Sequence, residues 1–412
     1  MLASLTILIG LLWQRGFKPK RLLALGIAGS KKSFSVLYIL LLIGVVIAIW
    51  MTAGTVPTLV YYGIQIISPD YFILSAFILS MLVSLLIGTS FGTVSTIGIA
   101  LIIMASGSTI NPHLVVGAIV AGAYVGDRCS PMSSSANLIA VITQTKIHTN
   151  IRKMLVTSFF PLSISILCYW LISRSNPVEF EREYFLSEIS NLFEVNPIVL
   201  LPALAVLLLA WLRVEIKLVM LVSILIGLAI SVYIQGYSGS EIWQYAVWGF
   251  ELSQETSLKN ILLGGGIFSM VKVSLIVVVS TAFAGILSGT KVLESVSIYL
   301  KKARSRADLF LGINLIGLAS AAFGCTQTIA ILLTQELVKN NCKEKQLDNY
   351  QLALDLENTV VVLSPLVPWN IAGLVPATIL MSDSGFIPFA FYLYFLPLFT
   401  YISLKIQEKR NK

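Results

Sequence analysis

Long apolar runs recur from one end of this chain to the other, and several are cut near their middle by Gly, Ser, Thr or Pro. Residues 37–51, 73–87, 155–172, 197–212, 218–234, 266–287 and 387–402 are runs of this kind. A helix needs about 20 apolar residues to cross a bilayer, and several of the runs come near that length. The chain has 412 residues, of which 57% are hydrophobic and 12% charged. A soluble domain carries roughly 25% charged residues. Runs such as 37–49 are apolar on every side rather than alternating, so the reading is helices and not a closed barrel. The expected class is an all-α polytopic membrane protein. The run at 1–13 lacks the charged start and cleavage site of a signal peptide and is too short to cross alone.

The formal net charge of +8 does not indicate nucleic acid. Its basic residues lie in short segments beside apolar runs, as cytoplasmic anchors do. Cys129, Cys168, Cys325 and Cys342 are scattered, with neither metal-site nor disulfide spacing. There is no HExxH, phosphate loop or nucleophile elbow. Gly264-Gly265-Gly266 precedes an apolar run without the Lys and Ser of a phosphate loop, so it reads as a site of close packing. His113 and His148 fall at or near loops, which leaves a Ser-His-Asp hydrolase without support.

The sequence repeats itself. ILIGL occurs at 7–11 and at 224–228. Gly54-Thr55 has a counterpart in Gly289-Thr290, Ser90–Thr93 in Phe323–Thr326, and Ser130-Pro131 in Ser364-Pro365, all in the same order. Nothing precedes the first ILIGL except six residues, so the first half is read as lacking its opening span. Charge then gives orientation. Arg15, Lys18, Lys20, Arg21, Lys31 and Lys32 follow the first ILIGL; Glu241, Glu251, Glu255 and a single Lys259 follow the second. After the next span the signs exchange: Asp70 in the first half, Lys301, Lys302, Arg304 and Arg306 in the second. Positive segments stay in the cytoplasm, so equivalent segments lie on opposite sides and the halves are inverted repeats. The division is 1–173 for the first repeat, 174–197 for an extracytoplasmic linker rich in Glu (179, 181, 183, 188, 194), and 198–412 for the second. Each repeat is expected to hold a re-entrant hairpin, 71–106 or 308–338, and a discontinuous transmembrane helix, 113–145 or 350–381.

Broken backbone at membrane depth is tolerated only where it lines a cavity or is buried in protein. The breaks are therefore where chemistry is expected. The first hairpin tip offers Thr89, Ser90, Thr93 and Thr96, and the second Thr326, Gln327 and Thr328. The first discontinuous helix breaks at 126–131 and offers Asp127, Ser130, Ser133, Ser134 and Asn137. The second breaks at 364–368 and offers Glu357, Asn358, Thr359, Ser364 and Asn370. An acid at the centre of a membrane helix costs about 2.5–3.5 kcal/mol on insertion scales, so it is kept for a reason. Asp127, Ser133, Ser134, Asn137 and Glu357 are the candidate Na⁺ ligands. Asp355 and Lys272 lie nearer the ends of their spans.

At these residues the chain resembles the NhaC-type sodium/proton antiporter family of the ion-transporter superfamily. The likeness runs from about Gly16 to the end. It rests on GTVPTLVYYG (54–63), GTSFGTVSTIGIA (88–100), GAYVGDRCSP (122–131) and LENTVVVLSPLVPWN (356–370). It implies a secondary transporter of a bacterial cytoplasmic membrane that exchanges Na⁺ for H⁺, or in some members for an organic solute. No cofactor is implied beyond Na⁺ as transported or coupling ion. Association as a homodimer is left open. Many members carry aspartate where this chain has Ser134, and again where it has Asn358, so two acids are missing from the expected cavity. Na⁺-coupled transport of an amino acid or small organic anion on the same fold is the alternative. An intramembrane hydrolase and a channel are more remote.

Overall fold

The computed structural model describes residues 2–31, 33–106, 108–177, 182–212, 214–252, 259, 262–290 and 305–410. Of the charges used above for orientation, Lys32, Glu179, Glu181, Glu255, Lys301, Lys302 and Arg304 lie outside the described residues. Among the described residues the α-helices are, in order, α1 (Leu2–Gln14), α2 (Pro19–Lys31), α3 (Phe34–Thr52), α4 (Thr55–Ile66), α5 (Phe72–Ile87), α6 (Ser90–Thr93), α7 (Ile99–Ser106), α8 (Pro112–Cys129), α9 (Ser134–Ile142), α10 (Ile147–Ser175), α11 (Arg182–Leu192), α12 (Leu201–Trp211), α13 (Ile216–Tyr233), α14 (Gly239–Trp248), α15 (Val271–Thr290), α16 (Arg306–Gly324), α17 (Gln327–Glu344), α18 (Asn349–Leu356), α19 (Ile371–Ile379) and α20 (Phe391–Arg410). No strand occurs among the described residues.

The exterior is apolar and the charged side chains near the middle are inside, the reverse of a soluble protein. On α10, Val156 is 78% and Phe159 74% exposed. Asp127, Arg128, Asp355 and Glu357 are buried. Pro69–Ile87, Ile147–Ser175, Ile216–Tyr233, Phe268–Leu287 and Arg306–Gly324 are each long and apolar enough to cross a bilayer. The chain is an all-α polytopic membrane protein.

Three segments differ from the sequence reading. The basic stretch after the first ILIGL forms α2, which packs on α15. There a Cβ added to Gly29 would lie 2.2 Å from the Thr281 carbonyl oxygen and 2.8 Å from Gly285 Cα. Small residues at such a crossing let two backbones touch, and van der Waals contact then holds helices that lipid does not drive together. The acidic linker carries α11, and the segment after the second ILIGL carries α14. The triglycine is close packing as expected: all three residues have positive φ, and Gly266 N–H donates to the Gly44 carbonyl at 2.6 Å.

The same local pattern occurs twice in each half. A long helix ends, the chain turns through a few residues, and a second helix begins. The pairs are α5 with α6–α7, α8 with α9, α16 with α17, and α18 with α19. In the last pair Asn349–Leu366 and Ile371–Ile379 are bent by 52°.

Candidate functional site

Each interruption has a local chemical cause. α5 stops at Gly88, which takes the left-handed φ of 77° that residues with a Cβ resist. α16 stops at Cys325, also left-handed at φ 55°. The four following helices each start on a side-chain cap. Thr89 Oγ1 accepts from Gly92 N–H at 3.1 Å, Ser133 Oγ from Ala136 N–H at 3.1 Å, Thr326 Oγ1 from Ile329 N–H at 3.2 Å, and Asn370 Oδ1 from Ala372 N–H at 2.9 Å. These residues sit at the breaks because the starts of helices have N–H groups that need acceptors.

The breaks then pack in pairs. A Cβ on Gly88 would meet Met132 Cβ at 2.5 Å and Ser133 N at 2.9 Å. In the other half, Ile371 N–H donates to the Cys325 carbonyl at 2.8 Å. Asn370 Nδ2 and Trp369 Nε1 donate to the carbonyls of Ala321 and Ala322, each at 2.7 Å. Among the bonds that join the two halves of the chain are Gln327 Nε2 to Asp127 Oδ2 at 3.0 Å and the Tyr124 hydroxyl to the Ala372 carbonyl at 2.7 Å.

Between the breaks lies a cavity of about 230 Å³. Thr89, Ser90, Asp127, Ser134, Thr326, Gln327 and Thr328 line it, together with Tyr124, Phe91, Ile371, Ala372 and apolar residues of α3 and α13. The first residues of α6, α9, α17 and α19 all face it. Helix N-termini carry partial positive charge, and Asp127 is the one acid that lines the space among the described residues. Its Oδ1 accepts from Ser90 N–H at 3.2 Å. One carboxylate thus takes a donor from the start of α6 and another from the start of α17. Its own backbone carbonyl is held as well, by Ser133 Oγ and, at 2.8 Å, by Ser135 Oγ. With threonine and serine oxygens around it, this carboxylate can hold a small hard cation.

The other expected residues have different positions. Thr96 Oγ1 donates to the Gly92 carbonyl, Thr93 Oγ1 to that of Thr89, Thr359 Oγ1 to that of Asp355, and Ser364 Oγ to that of Val360. Ser130 Oγ accepts from Met132 N–H, and Asn137 lines a neighbouring cavity with Pro131 and Ser134. Of the five candidate Na⁺ ligands, Asp127 and Ser134 line the central cavity. Asp127 also lies in the last turn of α8 rather than in unwound backbone, since the break falls at 130–133. Among the described residues no group of three or more His, Cys, Asp or Glu could hold a metal ion.

Behind the cavity, Arg128 makes bonds that the sequence did not signal. Arg128 is fully buried and turns away from Asp127. It donates to the Met154 carbonyl at 3.2 Å, Ser158 Oγ at 2.5 Å, Thr157 Oγ1 at 3.0 Å and Asn358 Oδ1. Asn358 passes the chain of bonds on to Thr400 at 3.1 Å. Glu357 is also fully buried, and neither carboxyl oxygen has a hydrogen-bond partner. Periodicity could have indicated Ser158 and Thr157 as polar residues on one face of α10, but not their partner.

Four helix breaks around a cavity lined by one acid among the described residues, inside a polytopic bundle, fit a membrane transporter. The Na⁺/H⁺ antiporter family model matches residues 2–136 and 122–406, and the chain belongs to that family. It is 30% identical over 396 residues to an Na⁺/H⁺ antiporter NhaC of Alkalihalophilus pseudofirmus, covering 93% of this chain and 86% of the relative. It is 30% identical over 381 residues to a malate-2H⁺/Na⁺-lactate antiporter of Bacillus subtilis, covering 91% and 81%. An Na⁺/H⁺ antiporter NhaC of the same species is 30% identical over 389 residues, covering 90% and 83%. These relatives are named as transporters and not as enzymes.

Proposed function

We propose that this chain is a secondary active Na⁺/H⁺ antiporter of a bacterial cytoplasmic membrane, with Asp127 at its ion site. The observation that carries the reading is the carboxylate of Asp127 bonded at once to Ser90 of one tip and Gln327 of the other. A cation placed there touches both halves, so its arrival or departure can alter how they fit. The inverted repeats 1–173 and 198–412, joined by the linker 174–197, belong to this reading. So do hydroxyl ligands from Thr89, Ser134, Thr326 and Thr328. The test is purified chain in proteoliposomes with an internal pH dye and an imposed Na⁺ gradient. Na⁺-dependent proton movement is expected, and Asp127→Asn should abolish it. Proton movement equal to that of empty liposomes would refute the proposal.

A second reading has its own support. About 230 Å³ is the liquid volume of roughly eight waters at about 30 Å³ each, well beyond one bare ion. Helix N-termini around the space suit a carboxylate. A small organic anion such as malate or lactate, carried with Na⁺, fits that volume. A rise in thermal stability with either anion only when Na⁺ is present would favour it.

A further inference from the structure

Away from the central cavity, Arg15, Gly16, Phe17, Lys18 and Arg21 line a recess of about 420 Å³ at the turn between α1 and α2. The local sequence fixes this turn. Gly16 takes a left-handed φ of 92°. Its N–H donates to the Trp13 carbonyl at 2.9 Å, and Phe17 N–H donates to that of Leu12 at 3.1 Å. Such a pair of bonds closes a helix at a glycine, and the residue after the glycine packs back on the last turn. Phe17 does so, joining Leu12, Leu22 and Ile286 in one apolar cluster. With that ring turned inward, Arg15, Lys18 and Arg21 are left exposed around the recess. No acid is at hand to balance them. The first Asp or Glu of the sequence is Asp70. Among the described residues no ion pair involves Arg15, Lys18 or Arg21, whereas Lys217, Arg306 and Lys405 each have a carboxylate partner.

The recess lies at an end of the bundle. α2 runs antiparallel to α15, with Gly29 against Thr281 and Leu25 against Gly289. Arg21 is one turn further back along α2, toward the end of a span long and apolar enough to cross a bilayer. Apolar side chains lead up to it. Ile7 and Leu11 are exposed on α1, one turn apart and in line with Arg15, and Leu23 and Ile27 are exposed on α2. Trp13, exposed beside the turn, is of the type that settles at the membrane–water boundary. We propose that the α1–α2 turn binds the phosphate head group of an anionic phospholipid. Each guanidinium fork can bond two phosphate oxygens at once, and Lys18 adds a point charge. The acyl chains lie along Ile7 and Leu11, so one lipid satisfies both the cations and the apolar stripe. Basic segments beside a membrane span attract anionic lipid in this way, and here the glycine-closed turn holds the cations in place before the lipid arrives.

The test uses the purified full chain in a neutral detergent, titrated with phosphatidylglycerol, with phosphatidylcholine or with inorganic phosphate while the melting temperature is read. A ligand that binds the folded chain raises that temperature. Phosphatidylglycerol should raise it, and the other two should not. A rise of equal size with phosphatidylcholine overturns the proposal, and so does a rise of equal size with phosphate, which would mark a site for the free anion. The variant Arg15→Gln with Lys18→Gln and Arg21→Gln should lose the response to phosphatidylglycerol. Removing three exposed cations elsewhere, by Lys343→Gln with Lys409→Gln and Arg410→Gln, should leave it intact. Equal loss in both triple variants would mean that total charge and not this turn attracts the lipid, and overturns the proposal. Should the first triple variant fail to fold, Arg15→Gln alone replaces it, since that side chain is exposed. Its affinity for phosphatidylglycerol, read by native mass spectrometry, should fall about fivefold, as one cation near an anionic surface accounts for. Unchanged affinity in Arg15→Gln overturns the proposal.

Discussion

Gln327 donates from Nε2 to the carboxylate of Asp127 across 3.0 Å, joining residues 200 positions apart in the chain. The same amide nitrogen lies 3.3 Å from the Val361 carbonyl. One side chain from the start of α17 therefore ties the acid of α8 to the stretch that follows α18. Its neighbour Thr326 caps α17, so the amide is held by a fixed helix start rather than by a loose turn.

Replacing Gln327 with Leu should remove one of two donors to a buried carboxylate. Such a bond contributes about 1.5–3 kcal/mol. Exchange in proteoliposomes should fall by roughly tenfold or more, since about 1.4 kcal/mol is a factor of ten. Asp127→Asn should fall further, having lost the charge itself. A Gln327→Leu protein with unaltered exchange kinetics would show that the two tips do not communicate through this bond.

The crossing of α2 and α15 is a separate test of the fold. Gly29→Leu places a side chain where even its Cβ would be 2.2 Å from a backbone oxygen. Overpacking costs about 1–3 kcal/mol, occasionally more, and backbone cannot yield as a side-chain end can. Melting in detergent should be markedly earlier than for the parent protein. Gly10→Leu is the control, because nothing lies within 4 Å of a Cβ there.

Asp355 and Arg306 form a 2.6 Å pair in which the aspartate is nearly inaccessible and the arginine 25% exposed. Removing one partner of a buried pair costs about 3–5 kcal/mol, because the other charge remains. Asp355→Asn should therefore lower stability more than the double change Asp355→Asn with Arg306→Gln. Equal melting of the single and double variants would mean that solvent already compensates Arg306.

At the exposed start of α14, Ser238 donates to the Glu241 carboxylate from its hydroxyl at 2.6 Å and from its backbone N–H at 2.8 Å. These bonds hold the Glu241 carboxyl below the usual glutamate value, the hydroxyl contributing most. A lowered folded-state value stabilises the cap above the unfolded-state pKa, and that contribution is lost as pH falls through the folded value. The protection factor of the Ser238 amide, its exchange relative to the intrinsic rate at each pH, should fall on acidification over that range, and Glu241→Gln should flatten the profile. Protection that is independent of pH in the parent protein would mean that the ionised carboxylate does not hold the cap.

The interruptions could be read in the sequence because their causes are local. Gly88, Ser133, Thr326 and Asn370 end or start helices through their own φ preference or their own side-chain oxygen, whatever surrounds them. The buried acids were legible for a similar reason, since a charge in an apolar run stands out. Helices α2 and α11 were less so: their charge density resembles a loop, and packing supplies what periodicity does not show. The role of Asn358 was out of reach. It depends on Arg128, 230 positions away, and on Thr400. Which hydroxyls face the cavity was also hidden, because Thr93 and Thr96 turn back to their own helix while Thr89 faces the cavity.

Val94–Gly98, just after the first break, and Glu357–Val361, just before the last, are π-helical. Such a turn holds one residue more than the α-helix it interrupts. At 3.6 residues per turn, one extra residue rotates everything beyond it by about 100°. A helical wheel continued from α18 through this stretch would therefore assign later residues to the wrong side. When related chains are aligned, a one-residue gap near 357–361 or 94–98 would be a change of helix type with the cavity face preserved, whereas an ungapped comparison would misread the lining residues of every relative that lacks the wide turn.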